Sequence, residues 1–277
     1  MSAAQPRIGL PIGACDAHCH VFGPGDEFPY DPKAPYRPTD SSKFDLAALH
    51  RRLGFSRTVI VHPAAHGTDH SVTLDAIAVD PRNRRGSCLL DMSFDDADFE
   101  RLDAGGIRAI RLNYIRAFGA YPDAAYVDFV QGRARELGWH VLFHLNAEDI
   151  DDVAEVARRM TVPFVIDHMA KIDMLKGMGQ PAVATLLELA RRDEAWIKVS
   201  GADRCGAPPF DSVLPLIRAV IETAPDRTLW GTDFPHPNPR FVVEDTELVD
   251  LIAVFAPTED ERRRLLVDNP ARLYGFA

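Results

Sequence analysis

Two histidines near one end of the sequence and an aspartate near the other have the residue types needed to activate water. His18 and His20 form an x-H-x-H pair at the end of the first predicted strand, and Asp233 ends the last one. Side chains on a strand alternate between its two faces, so both imidazoles point to the same side. If the intervening chain closes a barrel, these groups meet at one rim, where they could activate water with or without a metal.

The intervening chain alternates between strand and helix patterns. Eight runs are predicted strands, the first ending at residue 20 and the others at 56–63, 86–92, 106–114, 140–146, 163–169, 196–201 and 228–233. Helical spacing occurs at 69–79, 95–102, 124–137, 148–160, 181–192 and 211–223. Such alternation implies parallel strands with crossover helices, and eight units close a barrel. We predict an α/β fold, a single (β/α)₈ TIM-type barrel domain over residues 1–277 with extra C-terminal helices.

The composition restricts the classes of partner. The chain has 277 residues, a net charge of −10 and 46% hydrophobic residues. The acidic balance disfavours nucleic acid and anionic membrane surfaces, and no apolar run approaches the ~20 residues that cross a bilayer. Four cysteines without C-x-x-C spacing suit buried thiols in a reducing compartment. We therefore predict a cytoplasmic protein without nucleic-acid or membrane partners, and the oligomeric state stays open.

Polar side chains recur at the predicted strand ends, where barrels of this kind build their active sites. A lone histidine on a strand is usually a core residue, but histidines from several strands with one carboxylate are typical ligands of a divalent ion. The Pro-rich stretch 21–42 directly follows the first pair, so it is predicted to form a wall of the site or a surface wrap. The strand-end residues are His18, His20, His62, His66, Arg111, Asn113, His144, Asn146, Asp167, His168, Lys198, Ser200, Asp233 and His236.

Cationic side chains near the same rim indicate an anionic ligand. Arg111 lies inside the apolar run 107–114, where a buried guanidinium needs a partner or an anion. Arginine suits carboxylates because its planar fork binds two oxygens at once. Lys171 and Arg204 are predicted in rim loops, whereas Arg116 is expected to be an ordinary solvated charge.

Several segments together resemble the 2-pyrone-4,6-dicarboxylate lactonase family of the amidohydrolase superfamily. The resemblance runs from about residue 8 to the C-terminus and rests on an ordered series of motifs. It implies reversible ring opening of a small carboxylated lactone in the breakdown of aromatic compounds. The motifs are DAHCHVFGP at 16–24, FPYDPK at 28–33, HGTD at 66–69, TLDAIA at 73–78, GWHV at 138–141, VIDHM at 165–169, LWGTDFPHPN at 229–238 and NPARLY at 269–274.

The resemblance also implies roles for individual residues. Asp233 corresponds to the general base that acts on water, while His18, His20 and His168 correspond to the groups that polarise the carbonyl. The substrate carboxylates would be held by arginines and other polar groups. The predicted substrate-binding residues are Arg111, Arg204, His66, Asn238 and Lys171.

Three departures from the family pattern affect the metal and the substrate. The family lactonase works without a metal and has tyrosine where this chain has His144, a histidine that metal-using relatives carry. His18, His20, His144 and Asp233 could therefore hold zinc or manganese, leaving His168 as a second acid or base. Ala64 and Ala117 stand where the family has serine and arginine, so contacts to the dicarboxylate are lost and the exact substrate stays open.

Two other functions remain open from the sequence. A metal-dependent decarboxylase of a small aromatic or unsaturated acid would use the same ligands and release carbon dioxide. A non-catalytic barrel that only binds a small acid would have no need of a base beside an electrophile. The intact set of His18, His20, His168 and Asp233 therefore favours hydrolysis of a small anionic lactone.

Overall fold

The computed structural model describes residues 5–277, and its central element is a sheet of eight parallel strands. Each strand pairs with the next one in sequence order, which confirms the predicted (β/α)₈ barrel. The predicted domain begins at residue 1, and its first four residues lie outside the described range. The strands are β1 Cys15–Cys19, β2 Arg57–Ile60, β3 Arg84–Cys88, β4 Ile107–Tyr114, β5 His140–Leu145, β6 Phe164–Ile166, β7 Ala195–Lys198 and β8 Thr228–Leu229.

Helices connect the strands, and the last three form the predicted C-terminal addition. A capping box starts the second of these, because the Thr258 hydroxyl accepts from Glu261 N while the Glu261 carboxylate accepts from Thr258 N. Among residues 5–277, no helix combines the length and apolarity that a bilayer span requires. The helices are α1 Lys43–Leu53, α2 Ser71–Ala78, α3 Asp96–Ala104, α4 Ala124–Leu137, α5 Ile150–Ala157, α6 Pro181–Ala190, α7 Ala202–Cys205, α8 Leu214–Thr223, α9 Asp245–Phe255, α10 Glu259–Arg263 and α11 Asn269–Tyr274.

Helix α1 is absent from the sequence-based prediction, which passed from the stretch 21–42 directly to the strand at 56–63. The local signals were present. Ser42 and Asp45 form a reciprocal capping box at its start, and Gly54 ends it in the left-handed conformation. Its buried face consists of Leu46, Leu49, His50 and Leu53, at helical spacing.

The barrel closes where the chain after β8 runs beside β1. Ala17 N donates to Trp230 O at 3.0 Å, and Asp233 N donates to His18 O at 2.8 Å. The two backbones approach so closely at Gly231 that a Cβ there would lie 2.4 Å from His18 N. This seam brings the His18 and His20 pair close to Asp233.

Alternation along the strands separates an apolar barrel floor from a polar upper layer. On β4, Ala109 faces the floor and Arg111, two residues on, faces the same interior one level higher. On β5, Leu142 and His144 repeat this order. The floor consists of Cys15, Ala17, Val59, Val61, Ala109, Leu142, Val165, Trp196, Leu229, Tyr274 and Phe276.

Replacing Gly231 by alanine is expected to destabilise the fold by about 2–3 kcal/mol, because the added methyl forces the seam apart. Urea denaturation measures this change. Gly132→Ala is the matched control, since a Cβ at this position in α4 meets nothing within 4 Å. It should raise stability by up to about 1 kcal/mol, as alanine is the better helix former. Equal stability of Gly231→Ala and the parent would contradict this view of the seam.

Candidate active site

A cavity of about 170 Å³ opens at the carboxyl ends of the strands. It collects most of the predicted site residues on one small surface. Tyr36 enters from the stretch 21–42, which therefore forms one wall, as expected. The lining residues are His20, Tyr36, Arg111, Ile115, Phe118, His144, His168, Lys171, Arg204, Asp233, Pro237 and Asn238.

The carboxylate of Asp233 is the centre of this site. Its Oδ1 lies 3.3 Å from Nε2 of His20 and 3.6 Å from Nε2 of both His18 and His168. Its Oδ2 accepts two hydrogen bonds from Arg204, one from Nε at 2.8 Å. Burial raises the pKa of Asp233, but Arg204 and the histidines outweigh it and hold the pKa well below the usual range. The group is therefore ionised at neutral pH.

The second ring nitrogen of each histidine is fixed by the barrel wall. His20 Nδ1 lies 2.7 Å from Val61 O and must donate to it. His168 Nδ1 lies 2.9 Å from Ser200 Oγ. Burial lowers the pKa of His18 to about 3 and that of His168 well below its usual range. Both imidazoles are therefore neutral at physiological pH.

A second buried carboxylate, Asp167, lies beneath the first. Its neighbours are Lys198 Nζ, 3.1 Å from Oδ1, and Arg111 Nη2, 3.4 Å from Oδ2. Burial raises the pKa of Asp167, but Lys198, His18 and Arg111 hold it well below the usual range. Arg111 Nε is buried without a hydrogen-bond partner. The single long contact leaves part of the guanidinium available to a ligand in the cavity.

His144 is paired on both ring nitrogens. Its Nδ1 lies 3.0 Å from Asn113 Oδ1, its neighbour across the β4–β5 ladder, and its Nε2 lies 2.8 Å from Lys171 Nζ. Lys171 also donates to Asn146 Oδ1 at 3.3 Å. Burial lowers the pKa of Lys171 to about 7. Lys171 is thus poised between ammonium and amine near neutral pH, and a bound anion would favour the ammonium.

The structure does not bring His66 to the cavity. Its Nδ1 donates to Pro29 O at 3.1 Å, its Nε2 accepts from Gly23 N at 3.3 Å, and its ring stacks on Tyr30. These contacts anchor the stretch 21–42, the segment that carries Tyr36 over the site. His66 therefore helps to hold the segment that forms one wall of the cavity, instead of lining the cavity itself.

Three residues in or beside the cavity were not singled out in the predicted site. Tyr36 could have been suggested by its place in the predicted wall. Asp167 and Lys198 were predicted at strand ends, but their spacing in the sequence does not indicate that their side chains are in contact. Only the closed barrel brings these two charges together beside His18.

The ligand atoms of His18, His168 and Asp233 lie within 4.8 Å of one another and form a candidate metal-binding group. Neutral imidazoles with an ionised carboxylate suit a divalent ion. The surroundings do not, because Lys198 contacts His18 Nδ1 and Arg204 occupies Oδ2 of Asp233. A further candidate group, Asp16, Cys19 and His50, has its carboxylate taken up by hydrogen bonds to neighbouring donors.

His144 does not join the candidate metal group, because its Nε2 accepts from Lys171. The predicted ligand set of His18, His20, His144 and Asp233 is therefore split. Two of its members contact Asp233 directly, and the third belongs to the lysine pair on the other side of the cavity.

Comparison with known proteins gives a consistent pattern. The sequence model of the amidohydrolase family matches residues 15–276. The chain is 38% identical over 283 residues to 2-pyrone-4,6-dicarboxylate hydrolase of Comamonas testosteroni, covering 98% of this chain and 93% of that protein. It is 38% identical over 279 residues to 4-sulfomuconolactone hydrolase of Rhizobium radiobacter, covering 99% and 93%. An apo structure from Agrobacterium tumefaciens superposes with a TM-score of 0.85 at 27% identity, covering 98% and 99%.

The low pKa of Lys171 predicts a pH-dependent gain in stability for Lys171→Met. Below pH 7 the folded protein holds a buried ammonium at a cost that the unfolded chain, with a pKa near 10.5, does not bear. The variant should therefore be more stable than the parent by about 2 kcal/mol at pH 6, with the gain fading as the pH rises towards 10.

Urea denaturation across this pH range measures the difference. Lys176→Met, at an exposed position, is the matched control and should show no such trend. A gain that is constant with pH, or that grows towards alkaline pH, would contradict the assignment.

Proposed function

The chain belongs to the amidohydrolase family, and we propose that within it this protein hydrolyses the ring of a small lactone bearing one or more carboxylates. The observation that carries the proposal is the convergence of three imidazole Nε2 atoms on Oδ1 of Asp233 beside a cationic cavity. Lactone hydrolysis needs a base for water, donors for the developing oxyanion and an acid for the leaving oxygen. The relatives named as lactone hydrolases support the same reaction class.

In the proposed reaction, Asp233 holds the attacking water and takes its proton. Because Arg204 keeps the carboxylate ionised, the base is present at neutral pH, and it is a weak one. The water oxygen bonds to the carbonyl carbon, the ring C–O bond breaks, and the ring oxygen takes the proton from Asp233 and leaves as a hydroxyl or enol. Strong polarisation of the carbonyl must offset the weakness of the base. His18 and His168, neutral and adjacent to Oδ1, are the proposed donors to the oxyanion.

The substrate carboxylates are proposed to bind on the cationic side of the cavity. Arg111 has an unpartnered Nε, and Lys171 can become an ammonium when an anion arrives. Arg204 has a different place, since two of its bonds go to Asp233 and its Nη groups also donate to Pro237 O and Asn238 O. We therefore assign Arg204 mainly to holding the base, and Arg111 with Lys171 to the anion.

Zinc or manganese is the alternative way to polarise the carbonyl. His18, His168 and Asp233 are the residues that would hold such an ion, and a bound divalent ion would supply Lewis acidity. The lysine on His18 and the arginine on Asp233 argue against it, because both place positive charge next to the ligands. The reaction proposed above uses the protein's own side chains throughout.

Removing the base tests the proposal. Asp233→Asn should lower kcat by about 10³-fold while leaving the fold intact, since the amide cannot take a proton. The assay follows ring opening of 2-pyrone-4,6-dicarboxylate, 4-sulfomuconolactone and an uncharged lactone by absorbance, with metal content measured on the same sample. Hydrolysis of none of these lactones by the parent protein, or release of carbon dioxide instead, would overturn the proposed function.

Removing the anion-binding arginine should separate binding from chemistry. Arg111→Met is expected to raise KM for a carboxylated lactone about 30-fold or more, because a charge-assisted bond is worth roughly 2 kcal/mol. The uncharged lactone should be affected far less. Arg116→Met is the matched control, since that side chain is 76% exposed and outside the cavity lining. Equal losses for both lactones would exclude Arg111 as the carboxylate ligand.

A further inference from the structure

Lys198 is a fully buried lysine that contacts the catalytic cluster from below, and the reaction proposed above gives it no role. Its Nζ lies 3.1 Å from Nδ1 of His18 and 3.1 Å from Oδ1 of Asp167, and its side chain is 0% exposed. Lysine is almost never fully buried unless it is paired. Its position inside the barrel must therefore be explained by these two partners.

The contact with His18 has a defined polarity. An ammonium group has three donors and no acceptor, so the ring nitrogen that it contacts must accept. The contact with Asp167 favours the ammonium form, because a buried carboxylate 3.1 Å from Nζ needs a compensating charge. The same carboxylate lies 3.4 Å from His18 Nδ1 and is the competing partner of that nitrogen. Lys198 is the nearer of the two and is the one at hydrogen-bond geometry.

We propose that Lys198 is the positioning residue that fixes the tautomer of His18, with the ring proton on Nε2. This nitrogen is buried, has no hydrogen-bond partner, and lies 3.6 Å from Oδ1 of Asp233. The proton on Nε2 is then directed at the place where the base, the water and the lactone carbonyl meet. His18 becomes a preset donor for negative charge on oxygen.

The neighbouring His20, which directly follows β1, is held differently from His18. Its Nδ1 donates to Val61 O at 2.7 Å, so the nitrogen that His18 leaves unprotonated carries a proton in His20, and its Nε2 lies 3.3 Å from Oδ1 of Asp233. His18, with the reverse arrangement, is suited to donate to the carbonyl oxygen.

The same tautomer disfavours a metal at this site. A histidine ligand needs a free lone pair, and metal-ligating histidines usually donate their other N–H to a carboxylate or carbonyl. Asp167 is placed to accept such a bond from His18 Nδ1, but Lys198 occupies that nitrogen. Without the ammonium, Asp167 should accept a hydrogen bond from His18 Nδ1. The ring proton then lies on Nδ1, and Nε2 has a free lone pair that can bind a metal.

The tautomer can be read directly by ¹⁵N NMR on histidine-labelled protein without substrate, with the His18 signals assigned by their loss in His18→Gln. We expect a protonated Nε2 and an unprotonated Nδ1 in the parent, and the reverse in Lys198→Met. Lys171→Met is the matched control, because its lysine contacts His144 and should leave the His18 signals unchanged. A parent His18 protonated on Nδ1 would overturn the proposal, and this readout remains decisive if Lys198→Met does not fold.

Zinc chloride titration of metal-free protein and steady-state kinetics give two further readouts. Lys198→Met should bind zinc at least about tenfold more tightly than the parent, the scale on which groups bonded to ligands alter metal affinity. Its kcat should fall about 10–100-fold with KM little changed, as expected when a histidine adopts the wrong tautomer. Tight zinc binding by the parent, or an unchanged kcat, would contradict the proposal.

The kinetic readout rests on the proposed lactone hydrolysis, whereas the NMR and zinc readouts do not. If the parent opens no lactone but shows His18 protonated on Nε2, the proposed function fails and the role of Lys198 stands. If lactones are opened while His18 is protonated on Nδ1, the reverse holds.

Discussion

The carboxylate of Asp16 is the contact on which the rest of the site depends. It accepts hydrogen bonds from His18 N at 3.2 Å, from Thr232 N at 2.9 Å and from Thr232 Oγ1 at 2.6 Å, and it lies 2.9 Å from His50 Nε2. A single buried side chain thus joins β1, α1 and the chain beyond β8. Because it accepts from the backbone N–H groups of His18 and of Thr232, the residue before Asp233, it fixes the backbone at both places. The contacts of Asp16 that join the two ends of the barrel therefore also hold the backbone beside His18 and Asp233.

Above that contact, the site is organised by charge. Two ionised carboxylates, Asp167 and Asp233, lie within the barrel, each bonded to cations that compensate for the loss of water. Lys198 and Arg204 compensate the charges of these two carboxylates. Arg111 and Lys171, which face the cavity, are cationic groups in excess of them. A protein with a net charge of −10 thus holds a local positive field suited to a small anion. The overall charge still predicts that polyanionic partners are disfavoured, and it does not exclude an anionic substrate.

The sequence was sufficient for the barrel because strand periodicity and helix spacing are local properties. It also placed most of the cavity residues, since the carboxyl ends of parallel strands share one rim. Pairings between distant residues could not be predicted in this way. Spacing does not reveal that Lys171 reaches His144, or that His66 turns back to Pro29 and Gly23. Such contacts depend on the paths of the loops, which the periodicity of strands and helices does not specify.

The backbone after β6 shows why the loop paths escaped prediction. His168 and Lys171, with the two residues between them, all have φ between 49° and 55°, a left-handed turn without a single glycine. Non-glycine residues adopt this conformation at a cost, and such strain concentrates at functional sites. Here it brings an imidazole and an amine three residues apart to the same cavity. Asp233 and Asn238 are also left-handed, with φ of 64° and 58°. Left-handed backbone therefore positions His168, Lys171 and Asp233 at the cavity.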